Sequence, residues 1–166
     1  MPTLDVKRFE GVDPVVAAFL STLEFGRGRL VANIKDLTTE QLDKKPAGFK
    51  NSVASLAVHV AATEVAFAHR FMGKPVPEDL LVEFPPHKMT DPLPEVTGLT
   101  AQEVVGRLER SRSMLLEAVQ GLKAADLRQE IALGPDRTAS FEWLLALLPV
   151  HLASHTGHIQ MIVQHL

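Results

Sequence analysis

Four stretches of this chain repeat apolar side chains at three- and four-residue intervals, the spacing that puts them on one face of an α-helix. The first runs from about Asp13 to Asp36, with Val15, Val16, Phe19, Leu23, Leu30, Ile34 and, just beyond, Leu37. Asp13 is a capping residue and Pro14 is tolerated in a first turn. Gly26 and Gly28 predict some irregularity in the middle. The second begins at Ser52, a natural N-cap, and continues to Gly73 and Pro75. The third opens on Thr100, with Glu103 placed to complete a capping box, and carries Val104, Leu108, Leu115, Leu116 and Val119 before Gly121 ends it. Ser140 caps the last, which continues almost to the C-terminus. Pro149 lies inside it; the missing donor and the crowded carbonyl of Leu145 predict a kink half a turn before His151. Four long helices with no strong strand signal predict an all-α four-helix bundle.

The connections differ in kind. Thr38 to Leu42 reads as a single helical turn closed by Lys44-Lys45-Pro46. Between Lys74 and Gly98, Pro75, Pro77, Pro85, Pro86, Pro92 and Pro94 predict a long loop without regular helix, separating helices two and three and bordering any site. The segment 124–133 is a connector with a short extended piece at Gln129–Leu133, followed by a Gly134-Pro135-Asp136 turn. At 166 residues the chain fits a single domain spanning 1–166.

Composition excludes several functions. The net charge is -3, and Lys and Arg are scattered rather than gathered into a stripe, which argues against nucleic acid as a partner. Without cysteine there is no disulfide, thiolate ligand or cysteine nucleophile, so a metal would be held by His, Asp, Glu or water. The apolar runs at 53–62 and 144–150 are too short to span a bilayer, and the N-terminus lacks a basic start followed by an apolar run; a cytoplasmic protein is expected.

The strongest chemical signal is VHLASHTGHI near the C-terminus. Four residues on a helix turn about 40° and rise about 6 Å, so His151 and His155 point the same way and can share one ion. His158 shares that face one turn on, and helix geometry alone does not say which two of the three bind. His59, in LAVHVAAT, lies among small and apolar residues expected to face the core. A lone histidine there is more often a hydrogen-bonded core residue, and a His-x-x-x-His pair on a surface helix is common by chance. Several imidazoles on inward stripes are different, because a core satisfies them poorly without a shared partner. Three protein ligands would leave a position open, as in catalytic metal sites.

Other residues carry less. His69 is turned about 80° from His59 on a helix. His87, in the proline-rich loop, could approach the mouth of the site but reads more simply as solvated. His165 is terminal. Trp143 and Phe141 most simply anchor the last helix in the core, and Glu64, five residues from His59, points elsewhere. There is no Glu-x-x-His pair for a carboxylate-bridged di-iron bundle, no His-Glu-x-x-His, no phosphate-cradling glycine loop and no Gly-x-Ser-x-Gly.

The Ser52–His59 stretch, the Thr39–Pro46 connector and the final His151-x-x-x-His155-x-Gly157 motif resemble the DinB-like (DinB/YfiT-like) superfamily of bacterial four-helix-bundle metalloproteins over nearly the whole chain. The resemblance implies that His59, His151 and His155 bind a divalent cation, zinc or nickel, and that the protein is a homodimer. The family often has Arg, Gly and Gln after the last ligand; here Thr156, Gly157 and His158 stand there. His158 is expected to face the site or the substrate, with a fourth ligand as the alternative. Branches of the superfamily include thiol-dependent transferases and isomerases using mycothiol, bacillithiol or glutathione. The resemblance therefore implies a metal-dependent S-transferase-like or isomerase-like activity on a small electrophile, with a low-molecular-weight thiol as cosubstrate. The alternatives are a metal-dependent hydrolase, which needs the same site, and a non-catalytic bundle that binds a metal or small ligand.

Overall fold

The computed structural model describes residues 5–87, 92–134 and 136–166. Among the described residues there are six α-helices: α1 (Pro14–Ile34), α2 (Thr39–Asp43), α3 (Val53–Phe71), α4 (Glu78–Glu83), α5 (Ala101–Val119) and α6 (Phe141–Val163). A 3₁₀ turn at Asp126–Arg128 and an antiparallel pair, β1 (Glu130–Gly134) and β2 (Arg137–Ser140), fill the α5–α6 connection. The chain is predominantly helical. No helix among the described residues is long and apolar enough to cross a membrane.

Each long helix starts where its capping residue places it. The Asp13 carboxylate accepts from the Val15 amide at 3.0 Å, and Ser140 Oγ accepts from the Trp143 amide at 3.1 Å. Ser52 Oγ accepts from the Ser55 amide at 3.2 Å. Thr100 and Glu103 form the reciprocal capping box, with the Glu103 carboxylate accepting from the Thr100 amide at 2.7 Å. These contacts satisfy amide donors that the first turn of a helix leaves without partners.

The long helices touch in a closed order: α1 against α6, α6 against α3, α3 against α5, and α5 against α1. One apolar cluster lies between them, with Leu20 and Leu30 of α1, Val60 and Val65 of α3, Leu108 and Leu115 of α5, and Leu144 and Ile159 of α6 all buried. α3 is buried around most of its circumference, which explains why its sequence is apolar or small nearly throughout.

Two features depart from the sequence expectation, in α1 and in the proline-rich segment. α1 is continuous through Gly26 and Gly28. Gly26 serves the packing instead, since a Cβ there would lie 3.0 Å from Leu152 Cδ2 of α6. α6 runs through Pro149 as one helix, as the periodicity on both sides of that proline predicts. The segment expected to lack regular helix contains α4. Its prolines bracket the helix rather than interrupt it, with Pro77 at the N-cap and Pro85 beyond the C-terminus. α4 is held by burial of Leu80 and Phe84 and by Arg107, whose guanidinium donates to the Glu83 carbonyl at 3.1 Å.

The extended piece expected at Gln129–Leu133 is β1, and its partner β2 was not anticipated. Ala132 faces Thr138, and a bulge between Ala132 and Gly134 leads into the turn. Gly134 has φ 148°, outside the range side chains readily adopt. Pro135, within the expected turn, lies outside the described residues. Strands this short carry too few residues for alternation to stand out.

Candidate metal centre

His59 sits in the middle of α3, and His151 and His155 occupy successive turns of α6, the helix packed against it. One nitrogen from each of the three imidazoles lies within 4.8 Å of the other two. The Nε2 atoms of His59 and His151 are 3.0 Å apart. Ring centroids are separated by 4.4 Å for His151–His155 and by 4.9 Å for both pairs with His59. All three rings are half-buried, at the edge of the core rather than sealed inside it.

This environment keeps the imidazoles neutral. Burial, followed by the neighbouring histidines, lowers His59 from its ordinary value to about 3. The same causes lower His155 to about 4. His151 is also lowered by burial, partly opposed by the Glu64 carboxylate. At neutral pH each ring is therefore in the neutral form, with one unprotonated nitrogen, in which histidine binds metal.

The donor set suits a divalent ion of borderline softness. Two nitrogens each about 2.0–2.1 Å from one ion stand about 3 to 3.4 Å apart for angles between 90° and tetrahedral, so the 3.0 Å pair needs little adjustment. The buried Nδ1 of His155 has no hydrogen-bond partner among the described residues. Such an atom is costly to leave alone in a core. The cluster is thus incomplete as a set of hydrogen-bonding side chains and well arranged as a set of ligands.

A cavity of about 440 Å³ opens beside the cluster, with His59 and His151 in its wall. Phe67 of α3, Leu133 of β1, and Trp143 and Leu147 of α6 give it an apolar lining. Phe141 is a core residue, as expected, and stacks edge-on against Phe71 at 4.9 Å. Trp143 is not: it is 48% exposed and lines this cavity. The two are two residues apart on a helix, so their side chains diverge by about 160° and cannot both face the core.

Of the four remaining histidines, His69 is half-buried on α3 and is neither in the cluster nor among the residues lining this cavity. His87 is half-buried, with its ring edge-on to His59 at 5.1 Å, and shares the cavity. It is drawn in because α4 anchors the proline-rich segment to the core. His158 is exposed, its ring lies 5.7 Å from that of His155, and it lines a different hollow with Phe49 and Lys50. It is not among the three converging rings. His165 packs on Phe49 and pairs with the Met161 carbonyl, far along α6.

A second polar group lies close by and left no trace in the sequence pattern. Glu64 of α3 is 2% exposed. One of its oxygens accepts from Arg27 of α1 at 2.8 Å and from Ser111 of α5 at 3.0 Å; the other accepts from Arg112 of α5 at 2.6 Å. Arg112 also pairs with Glu24 of α1. Two positive and two negative charges thus balance across three helices. These partners are separated by 37 to 88 positions along the chain, beyond the reach of any local pattern.

The model of the DinB superfamily matches residues 22–159, which contain all three converging histidines. The chain belongs to the DinB superfamily. A solved structure of the same fold, a conserved protein from Enterococcus faecalis, superposes with a TM-score of 0.75 at 15% identity, over 90% of this chain and 95% of that one. No curated protein matches. Membership in the DinB superfamily and the geometry of His59, His151 and His155 agree on a group able to hold a metal ion.

Proposed function

We propose that His59, His151 and His155 hold one divalent cation, zinc or nickel, in a four-helix bundle. We read this DinB-superfamily protein as a homodimeric, thiol-dependent transferase or isomerase acting on a small electrophile. The observation that carries the reading is the convergence of three neutral imidazoles, within 4.8 Å of one another, on the wall of a cavity large enough for a small molecule. A bound ion would supply Lewis acidity, lowering the pKa of a thiol or water that reaches its open position and polarising a carbonyl.

The chain's own residues do the rest. α3 and α6 fix the three rings from both sides, so little ordering is needed when a ligand arrives. The apolar wall formed by Phe67, Leu147 and Trp143 displaces water and strengthens electrostatic interactions inside the cavity. The absence of cysteine fits a nucleophile that arrives with the cosubstrate. The reading as a non-catalytic binder draws its support from a fourth ligand at His158; the exposure of that ring and its place on another hollow favour an open site instead.

Elemental analysis of purified protein tests the centre, with His155→Ala alongside. Stoichiometric metal in the wild type and its loss in the variant are expected; a wild type that carries none after exposure to several divalent ions removes the proposal. Thiol-transfer assays with several low-molecular-weight thiols and a model electrophile test the reaction. Ester or amide cleavage without thiol turnover would assign the site to hydrolysis.

A further inference from the structure

The cavity beside the histidines has a charge opposite to that of the molecule around it. The protein carries a net charge of -3, yet no Asp or Glu is among the described residues lining this cavity, while two arginines are. Arg70 reaches it from the last turn of α3, and Arg137 from β2. Elsewhere in the chain Arg27, Arg110 and Arg112 are committed to carboxylates. Neither Arg70 nor Arg137 makes an ion pair among the described residues. The Arg70 guanidinium lies instead 6.0 Å from the ring centre of Phe67, another cavity residue.

Beside the arginines and the histidines, the lining is largely apolar and partly aromatic, with Phe67, Leu133, Leu147 and the exposed indole of Trp143. A planar guanidinium fork binds carboxylate and phosphate oxygens in pairs, and an indole face left open to solvent is a surface for a flat apolar group. From these features we propose that the cavity takes a small organic anion with a flat apolar body. Arg70 and Arg137 hold its anionic end, Trp143 and Phe67 flank its body, and its other end reaches His59 and His151. The proposal rests on the reading of this cavity as the substrate side of the metal centre. It adds the chemical class of the substrate and two residues that select it.

Trp143 supplies the readout, because the chain has one tryptophan and no tyrosine. Its fluorescence is titrated with 4-phenylbutyrate and with the neutral 4-phenylbutyramide, using zinc-loaded and chelator-treated protein whose metal content is measured separately. Saturable binding of the carboxylate, at least about tenfold tighter than the amide, is expected from charge-assisted pairing. Arg70→Gln and Arg137→Gln are each expected to weaken the carboxylate about five- to tenfold while leaving the amide unchanged. Arg70 also suits the helix dipole at the end of α3, and the amide titration separates that structural role from recognition. Arg137 lies on the exposed hairpin, so its variant keeps the test open if Arg70→Gln folds poorly.

Equal affinity for carboxylate and amide overturns the proposal. So does a carboxylate preference that survives both substitutions and disappears with the metal, because the ion rather than the arginines would then bind the anion. Arginine-dependent selectivity in a protein that carries no stoichiometric metal supports the anion site while removing the metal centre. Stoichiometric metal without that selectivity does the reverse.

Discussion

His59 and Glu64 stand five residues apart on α3, both withdrawn from solvent, and their surroundings treat them in opposite ways. Glu64 is answered in full: two arginines and a serine engage both carboxylate oxygens, and the second charge on the network is matched by Glu24. His59 faces two more imidazoles and the edge of a third, none of which offers it a charge of opposite sign. The first arrangement satisfies the carboxylate, balances its charge and joins α1, α3 and α5, although Arg27 Nε and Nη1 and Arg112 Nε have no hydrogen-bond partner among the described residues. The second gathers three neutral rings at one point, where the Nε2 atoms of His59 and His151 lie 3.0 Å apart and the buried Nδ1 of His155 has no hydrogen-bond partner among the described residues. A polar group completed by the fold serves the fold, and one that the fold leaves incomplete is ready for a ligand.

The largest effect expected from breaking this contrast is on metal content. Removing an outer hydrogen-bonding partner of a ligand weakens metal affinity about 10–100-fold, so removing a ligand itself in His151→Ala or His155→Ala should weaken it more than about 100-fold. Equilibrium dialysis against buffered zinc would measure this, and unchanged affinity would show that the histidines converge without binding. In Glu64→Ala the effect moves to stability. Two buried guanidinium groups lose their shared partner, and unfolding in urea should show a loss of about 3–5 kcal/mol. Metal binding per folded molecule should be retained.

Chelation of the wild type should cost less than that substitution. At free metal 100-fold above its dissociation constant, binding contributes about 2.7 kcal/mol, which a thermal melt before and after chelator would read as a fall in Tm. His155→Ala should show no such fall. Smaller again is the response of the metal-free protein to acid. His59 and His155 are held at about 3 and 4 in the fold, with His151 also lowered, whereas an unfolded histidine takes up its proton near its ordinary value. The unfolded state then binds more protons below pH 6.5, so stability is full above that pH and declines as pH falls towards 4. Between pH 7 and 5.5 the loss should be about 1–2 kcal/mol, allowing for the partial exposure of the rings. A melt series at constant ionic strength checks it, and His59→Ala should flatten the slope. The smallest effect expected is that of His158→Ala, which should leave metal content unchanged and stability within about 0.5 kcal/mol, as for other exposed positions.

Much of the architecture was legible because it is local. Asp13, Ser52, Thr100 and Ser140 each act within three residues of themselves, and all four cap the helices expected of them. The spacing of His151 and His155 placed both rings on one face of α6 for the same reason. The prolines between Lys74 and Gly98 misled because their positions matter more than their number. They border α4, and the burial of Leu80 and Phe84 then brings His87 to the site. Trp143 was read as a core anchor because its size suggests burial, yet Phe141 takes that role and the turn of the helix sends Trp143 into the cavity.

The sequence by itself determined the four long helices, their caps, the shared face of His151 and His155, and the absence of any thiolate. These depend on residues a turn or so apart and on composition. The tertiary structure decided that His59 meets those two rings, 92 positions away from His151, and that His158 does not. It also decided that Glu64 is enclosed by Arg27 and Arg112, and that Arg70 and Arg137 share a cavity. Those pairings depend on how α1, α3, α5, α6 and the hairpin pack. Packing is fixed by burial of the whole apolar surface, which no local spacing encodes.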